Sequence, residues 1–276
     1  MESNNRPPSR VGRAEPGRFL LIGAAYLYVA LLVLAPLLAI LGGVFREGLN
    51  PIWTALCDPA LVSTFRLSIL IGIGVTALHA VTGTLVAWVL ARHEFKGREF
   101  INGLIDAPFA ISPVVVGYML LLLFGRQGLF APLLQPLNIK VAFAVPGMVL
   151  ATFFVTLPIM IREMLPVIQT LDRSEEFAAA TLGAGRWQTF WQVIFPALKW
   201  GIIYGLSLTL ARALGEFGAV LVIGGGIQGR TDTATVYIYH ALEERQYIAA
   251  YSAALLLGCI SIAFVVGADL LKRRKR

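Results

Sequence analysis

The side chains of this chain that are best suited to chemistry are an arginine and a glutamate, Arg212 and Glu216, inside a long apolar run. They are four residues apart, so on a helix they share one face and can form an ion pair. An arginine near the centre of a bilayer costs about 2.5–3.5 kcal/mol on insertion scales, and it therefore usually faces a bundle interior or a wet cavity. The pair predicts either a structural contact between helices or a site that lines the translocation path of an anion.

Catalytic and metal chemistry have no comparable signal in the sequence. The three histidines, His79, His93 and His240, are widely separated and have no paired ligand spacing. A nucleophile elbow and a phosphate-binding loop are both missing from the sequence. We therefore expect no catalytic residue, no metal and no cofactor in this chain. Cys57 and Cys259 are expected to be unpaired small hydrophobic residues.

The composition places these charges in a membrane protein. Hydrophobic residues make up 57% of the 276 residues and charged residues 14%, whereas soluble domains have roughly 45–50% apolar and about 25% charged residues. Inside lipid, each backbone amide must bond within its own segment, so apolar segments of about 20 residues are helices. The predicted fold is all-α, a polytopic membrane protein with six transmembrane helices, at 19–44, 67–91, 101–124, 144–168, 198–224 and 247–271.

Lysine and arginine predict the orientation. With six spans, one side carries the basic clusters and the other carries scattered basic residues, so the positive-inside rule puts both termini in the cytoplasm of a cell membrane. Residues 1–18 are predicted to be a flexible basic N-terminus, 19–271 the transmembrane domain and 272–276 a basic tail. The first span is too long for a signal peptide. The net charge of +7 is thus a topology signal, and no nucleic-acid partner is expected.

The longest inner loop, 169–199, carries signals for a compact helix-turn-helix at the cytoplasmic face. Asp172 is placed to cap a first helix, and Gly183 is placed to end it. A short second helix from Trp187 to Ile194 then leads to Pro196 at the start of the fifth span.

The stretch from Glu176 to Gly183, followed by Val193-Ile194-Phe195-Pro196, resembles the EAA loop of ABC-importer permeases. That pattern is Glu-Ala-Ala, three residues, Gly, nine residues and Ile-x-Leu-Pro. The spacing from Gly183 to Pro196 matches it, although Phe177 stands at the family's glutamate position and Glu176 one place earlier.

This resemblance implies a coupling loop that inserts into a groove on a cytosolic ATPase. The residues carried over are Glu176, Ala178, Ala179, Gly183 and Pro196. The alternative to a coupling role is an amphipathic helix that lies on the membrane surface, which would suit the aromatic residues of the loop.

Two further segments resemble the permeases of sulfate and molybdate importers. The string from Arg212 to Ala219 is similar to their fifth helix, and the segment Asp106–Gly117, with its Ser112-Pro113, resembles CysW-type subunits of sulfate/thiosulfate importers. The resemblance implies that residues 19–271 form a permease domain, with Arg212, Glu216 and Ser112 along its translocation path or gate.

The same resemblance implies the partners of the chain. They are a second, CysT-like permease subunit, two cytosolic ATPase subunits that carry ATP and Mg²⁺, and an extracytoplasmic sulfate-binding protein. This chain would then be half of a pore that imports sulfate or thiosulfate by alternating access.

Three alternatives stay open at this stage. A molybdate or tungstate permease is the first, although such permeases tend to have a Pro-Pro pair where Ser112-Pro113 stands. An ion-coupled secondary transporter is the second, but no inverted internal repeat is visible. A membrane-embedded enzyme or scaffold is the third; the former lacks a catalytic cluster, and the latter has no need of mid-membrane charges.

Overall fold

The computed structural model describes residues 16–45 and 49–273, and all regular structure in them is helical. Most of the predicted N-terminal segment 1–18 and of the predicted tail 272–276 lies outside the described residues. The helices are α1 Pro16–Phe45, α2 Leu49–Leu56, α3 Pro59–Arg92, α4 Arg98–Ile105, α5 Ala107–Ala110, α6 Pro113–Phe124, α7 Ala131–Leu134, α8 Val145–Gln169, α9 Arg173–Thr181, α10 Arg186–Thr189, a π-helix Phe190–Ile194, α11 Phe195–Leu214, α12 Gly218–Gly224, α13 Ala234–Glu243 and α14 Tyr247–Arg273.

Of the described residues, 16–45 belong to one compact unit and 49–273 to a second. In the first unit, α1 is a single helix of 30 residues with Pro36 in its interior. Its apolar stretch 21–43 is long enough to cross a membrane, as the sequence predicted for the first span.

Five helices of the described residues are long and apolar enough to span a membrane, and a bent pair makes six if it counts as one span. The bent pair is the predicted third span, where residues 98–110 and 113–124 meet at 108°. The prediction of a helical span over 101–124 thus corresponds to a sharply bent pair of segments rather than to one continuous helix. Pro113 explains the bend, because a proline pushes the preceding residue out of the helical region, and Ser112 has a ψ of 136°.

The predicted fifth span is also divided. The prediction of one helix over 198–224 differs from the structure, in which α11 ends at Leu214 and α12 begins at Gly218. Arg212 is thus in the last turn of α11, and Glu216 lies in the connection between the two helices.

The core of the second unit forms where α3, α8 and α11 pack together through small residues. Met160 of α8 is fully buried. A Cβ atom on Gly83 of α3 would lie 2.6 Å from the Met160 Cγ, and one on Gly205 of α11 would lie 2.8 Å from its Sδ. Glycine therefore lets the three helix backbones approach closely, as is common between membrane helices.

The two divided spans cross each other in the same way. A Cβ atom on Gly117 of α6 would lie 2.7 Å from the Ala219 carbonyl oxygen of α12. One on Gly218 would lie 3.0 Å from Cγ2 of Val114 and 3.4 Å from Cβ of Pro113. The start of α6 thus packs against the start of α12, which brings the two helix breaks together.

Candidate translocation and coupling sites

The predicted ion pair of the fifth span is present and is asymmetric. Nη1 of Arg212 donates to Oε2 of Glu216 at 2.8 Å. The Glu216 side chain is 1% exposed, whereas the Arg212 side chain is 39% exposed. The Glu216 carboxylate is therefore buried inside the protein, and the Arg212 guanidinium is the member of the pair that a solute can reach.

Glu216 also holds the break between α11 and α12. Its Oε1 accepts a hydrogen bond from the Ala219 backbone amide at 3.2 Å, in the first turn of α12. Its own carbonyl oxygen accepts one from the Thr235 hydroxyl at 2.6 Å. A carboxylate beside the free amides of a helix start is favourable because both the hydrogen bond and the helix dipole stabilise negative charge there.

Arg212 keeps most of its donors available. A guanidinium carries five N–H donors, and among the described residues Glu216 is its one hydrogen-bond partner. The pair is neutral overall, so an anion that binds at Arg212 meets accessible donors without a full net positive charge to hold it. Such a site suits passage of an anion better than its retention.

Ser112 lies at the other helix break. It precedes Pro113 at the start of α6, it is exposed, and its side chain makes no capping hydrogen bond there. Because Gly218 packs against Pro113 and Val114, the residues that follow Ser112 touch the start of α12. The structure therefore brings the breaks that carry Ser112 and Glu216 into one region.

A second intramembrane arginine was missed in the sequence. Arg162 of α8 makes a bidentate contact with Asp106, with Nε–Oδ1 at 2.8 Å and Nη2–Oδ2 at 2.6 Å. It also donates to the side-chain and main-chain oxygens of Asn102, at 2.8 and 2.9 Å. The partners are 56 and 60 residues away in sequence, so no local spacing pointed to them. A charged residue inside the predicted fourth span was the available signal.

Arg162 and Arg212 lie at different depths along the bundle. Gly205 of α11 packs against Met160 of α8, and Gly201 against Val167, so Arg162 is level with a residue about eight positions before Arg212. At 1.5 Å per residue this is a separation of about 12 Å along the helix direction. The bundle thus carries two arginines, each neutralised by one carboxylate, at two successive levels.

His79 is a buried structural residue. Its ring stacks on Phe153 with 4.3 Å between the centroids, and Nε2 lies 3.0 Å from the Thr156 hydroxyl and 3.2 Å from the Phe153 carbonyl oxygen. The Thr156 hydroxyl donates to the Thr152 carbonyl oxygen, so Nε2 carries the proton and donates to these acceptors.

The inner loop forms the predicted helix-turn-helix. Asp172 caps α9 by accepting a hydrogen bond from the Ser174 amide at 2.9 Å, and hydrogen bonding to Ser174 holds the pKa of this carboxyl below its ordinary value. Gly183 has a φ of +85°, which favours glycine, and lies just past the end of α9. The second helix of the prediction consists of α10 and a π-helix that runs directly into α11, with Pro196 in the first turn of α11.

The α9 helix is tied to the end of α3 by charge. Nη2 of Arg92 donates to Oε1 of Glu176 at 2.7 Å, and Nη2 of Arg173 donates to the Arg92 carbonyl oxygen at 3.2 Å. The Arg92 guanidinium also lies 5.1 Å from the ring centroid of Trp88. The Glu176 carboxylate is thus engaged within the chain, and it fixes α9 to a membrane-spanning helix.

The rest of this loop presents apolar side chains at the surface. Phe177, Leu182 and Trp187 are 67%, 88% and 73% exposed. Ala178 and Gly183 are exposed and Ala179 is half-buried, and a Cβ atom on Gly183 would meet nothing within 4 Å. An exposed apolar surface around small residues is typical of a docking site for another protein.

Comparison with known proteins identifies the kind of protein that carries these sites. Residues 80–276 match a family that is described as binding-protein-dependent transport system inner membrane component. This range includes the α9 loop and both intramembrane arginines. The chain belongs to this family. The permease is therefore a multi-pass membrane protein and a transport component rather than an enzyme.

Individual relatives agree with this assignment. The permease is 44% identical, over 92% of its own length and 89% of the relative's, to the sulfate transport system permease protein CysW of Synechococcus elongatus. It is 33% identical, over 95% of both chains, to the sulfate transport system permease protein CysT of Escherichia coli. A chain of a bacterial alginate ABC transporter crystal structure, in complex with a periplasmic protein, has the same fold: the TM-score is 0.72 at 17% identity, over 94% of the permease and 96% of that chain.

Proposed function

We propose that the permease is the CysW-type half of the membrane pore of an ATP-driven sulfate importer. Relatives at 33–44% identity are named sulfate transport permeases. The observation that carries the proposal is the accessible Arg212 guanidinium, neutralised by a buried carboxylate at the meeting point of two divided spans.

The chemistry of a dianion explains both the arginine and the need for ATP. Entry against an inside-negative potential costs about 2.3 kcal/mol per charge per 100 mV, or roughly 4.6 kcal/mol for sulfate. Hydrolysis of ATP on separate cytosolic subunits supplies this energy. Arg212 lowers the barrier at mid-membrane, Glu216 prevents tight retention, and Ser112 offers a hydroxyl at the adjoining break.

In this proposal the α9 loop is the contact for the ATPase. Ala178, Ala179 and Gly183 permit close approach, and Phe177 and Leu182 supply apolar surface. Pro196 starts α11 and thereby sets the loop relative to the helix that carries Arg212. Movement of the ATPase reaches the bundle through Glu176 and Arg92, because this ion pair joins α9 to α3.

The proposal also assigns orientation and partners. The end of the bundle with α9 is cytoplasmic, in accord with the basic residues on the loops at that end. The partners are a CysT-like permease subunit, two ATPase subunits and an extracytoplasmic sulfate-binding protein. A solved structural neighbour was crystallised with a periplasmic protein.

The test is uptake of radiolabelled sulfate by cells that lack this gene and by the same cells with the gene restored. We expect ATP-dependent sulfate uptake only in the restored cells, with little competition from molybdate. Unchanged sulfate uptake together with lost molybdate uptake would favour the molybdate alternative, and uptake that survives ATP depletion would rule out an ABC importer.

The coupling role has a separate test. Gly183→Trp places a large side chain at the end of α9, in a backbone conformation that favours glycine, and we expect loss of ATPase association and of uptake. Gly185→Trp is the matched control, since Gly185 is equally open but has no left-handed backbone. Normal association and uptake in Gly183→Trp would remove the coupling role from this loop.

A further inference from the structure

The end of the bundle opposite α9 carries two pockets of opposite charge. Arg92, at one end of α3, pairs with α9, whereas Asp58 lies at the other end of this 34-residue helix, about 50 Å away. The connection 225–233 between α12 and α13 contributes residues to both pockets, so it forms the wall between them.

The basic pocket has a volume of about 860 Å³. It is lined by the cations Arg126, Lys140 and Arg230 and by the amides Gln127, Gln135 and Asn138, with no acidic residue in its lining. The three cations are exposed and come from different loop positions that looked scattered in the sequence. Folding therefore concentrates three positive charges in one opening.

The acidic pocket has a volume of about 320 Å³. Asp58, Asp232 and Glu244 line it, and no lysine or arginine does. Asp232 is 4% exposed, and its Oδ1 has no hydrogen-bond partner among the described residues. Nδ1 of His240 lies 3.9 Å from this oxygen. A buried carboxylate without a full partner is costly, and an incoming cation would offset that cost.

Hydrogen bonds to the end of α12 hold the connection 225–233 and the segment around Phe143 in place. The Phe143 amide donates to the Ile223 carbonyl oxygen at 2.8 Å, and the Thr231 hydroxyl donates to the Gly224 carbonyl oxygen at 2.7 Å. A Cβ atom on Gly225 would lie 2.7 Å from the Phe143 ring, so the loops at this end touch closely. The charges are thus presented on a preformed surface.

The size of the basic pocket favours a protein over a small ion as the occupant. A single tetrahedral oxyanion occupies only a small part of its 860 Å³. A protein surface can place several carboxylates in the basic pocket and one ammonium or guanidinium in the acidic pocket at the same time. Charge complementarity of this kind fixes register and raises association rates more than it raises affinity.

We propose that the extracytoplasmic binding protein docks with acidic side chains in the Arg126–Lys140–Arg230 pocket and a basic side chain in the Asp58–Asp232–Glu244 pocket, so that the two pockets set its orientation on the permease. This inference rests on the proposed function, because it requires a binding protein that delivers the anion. A two-lobed or otherwise asymmetric partner placed the wrong way round would meet like charges at both pockets.

The test uses the complete transporter, reconstituted with its partner subunits and its binding protein in lipid nanodiscs. The variant Arg126→Gln/Lys140→Gln/Arg230→Gln removes the positive charges, and Arg66→Gln/Arg245→Gln is the control, since neither residue lines either pocket. We expect the triple variant to need about tenfold more binding protein for half-maximal ATPase stimulation, with a weaker dependence on salt and an unchanged maximal rate. The control should stay within about twofold of the parent.

Orientation is read by cross-linking. Cys57 and Cys259 are first replaced by serine, and single cysteines are then placed at Gln127 beside the basic pocket or at Gln228 beside the acidic one. A cysteine on one end of the binding protein should cross-link to one of these positions only, and the triple variant should lose that preference.

Three outcomes would overturn the inference. The first is that the triple variant and the parent need the same concentration of binding protein at low salt. The second is that the parent cross-links equally to both positions. The third is that the permease binds sulfate without the binding protein and that this binding disappears in the triple variant. The last would make the basic pocket a site for the free ion. ATP-driven sulfate uptake by the parent transporter is scored separately, so the proposed function stands or fails on its own result.

Discussion

At the scale of the residue, Arg212 and Glu216 differ in their burial and in their number of hydrogen-bond partners. Glu216 is buried and bonded to Arg212, Ala219 and Thr235, whereas Arg212 is partly accessible and bonded to Glu216. The carboxylate therefore organises the helix break, and the guanidinium is left to meet a solute. Removing one member of the pair should have effects that differ in kind.

Arg212→Gln should lower both stability and transport. It leaves the buried Glu216 carboxylate without its cation, and loss of one partner of a fully buried pair costs about 3–5 kcal/mol, so a somewhat smaller loss is expected for a partly exposed arginine. We expect a lower melting temperature in detergent and sulfate uptake reduced at least about tenfold. Arg212→Lys, which keeps the charge, should recover most of the stability but not all of the uptake, because lysine lacks the planar fork of donors. Equal uptake in all three proteins would assign the pair a structural role.

Asp232 gives the connection between α12 and α13 a pH dependence. Burial raises the pKa of Asp232 from 3.8 to about 6, and the charge of His240 opposes this rise. The other titratable groups that line its pocket are Asp58, Tyr237 and Glu244. In the unfolded chain Asp232 ionises at its ordinary pKa, so its contribution to folding is full below pH 3.8 and is lost as pH rises through about 6.

Asp232→Asn should therefore raise the melting temperature at pH 7.5 and flatten its change between pH 4.5 and 7.5. Thermal unfolding in detergent, followed by tryptophan fluorescence, measures both. Glu244→Gln is the control, because Glu244 lines the same pocket but is exposed. If the melting temperature of Asp232→Asn changes with pH as that of the parent does, the pKa of Asp232 does not differ between the folded and unfolded chain.

At the scale of the element, close helix packing and two divided spans define the bundle. Proline could have indicated the break before α6, since Ser112 precedes Pro113. The break after α11 had a weaker signal in Gly215 and Gly218, because isolated glycines are tolerated in helices. What holds that break is tertiary, namely the Thr235 hydroxyl on the Glu216 carbonyl oxygen.

The three-helix contact at Met160 gives a matched test within one helix. A Cβ atom on Gly83 would overlap Met160, whereas one on Gly74 would meet nothing within 4 Å. Gly83→Leu should destabilise the protein by about 1–3 kcal/mol through overpacking, and Gly74→Leu should change stability little. Detergent melting temperatures and the yield of folded protein decide between them. Equal loss in both variants would show that the contact with Met160 is not the cause, because leucine has a higher helix propensity than glycine and cannot destabilise either site through propensity.

The ion pair between α3 and α9 gives a second element-scale test. Arg92→Gln should leave ATPase binding in place but reduce the uptake obtained per ATP hydrolysed, because α9 then moves without α3. The exchange Arg92→Glu/Glu176→Arg restores opposite charges and should recover part of the coupling. Full coupling in Arg92→Gln would show that α9 transmits motion by another route.

At the scale of the whole molecule, the proposed half-pore lines only one side of the translocation path, and a second permease subunit must line the other. The chain reconstituted alone should show no ATP-dependent sulfate uptake, and co-reconstitution with the second permease subunit and the ATPase should restore it. Omission of the binding protein should lower uptake without loss of assembly on a sizing column. Uptake by this chain alone would contradict the half-pore.

The sequence by itself determined the membrane class, four of the six predicted spans as uninterrupted helices, the Asp172 cap and the i, i+4 pair of Arg212 with Glu216. These depend on composition, on helical periodicity and on contacts between residues close in the chain, all of which are local. Only the tertiary structure decided that Arg162 binds Asp106 and Asn102, that Glu176 binds Arg92, and that three separate basic residues share one pocket. The contacts of Arg162 and Glu176 join residues 56 to 84 positions apart, and helix packing rather than local propensity sets which of them meet.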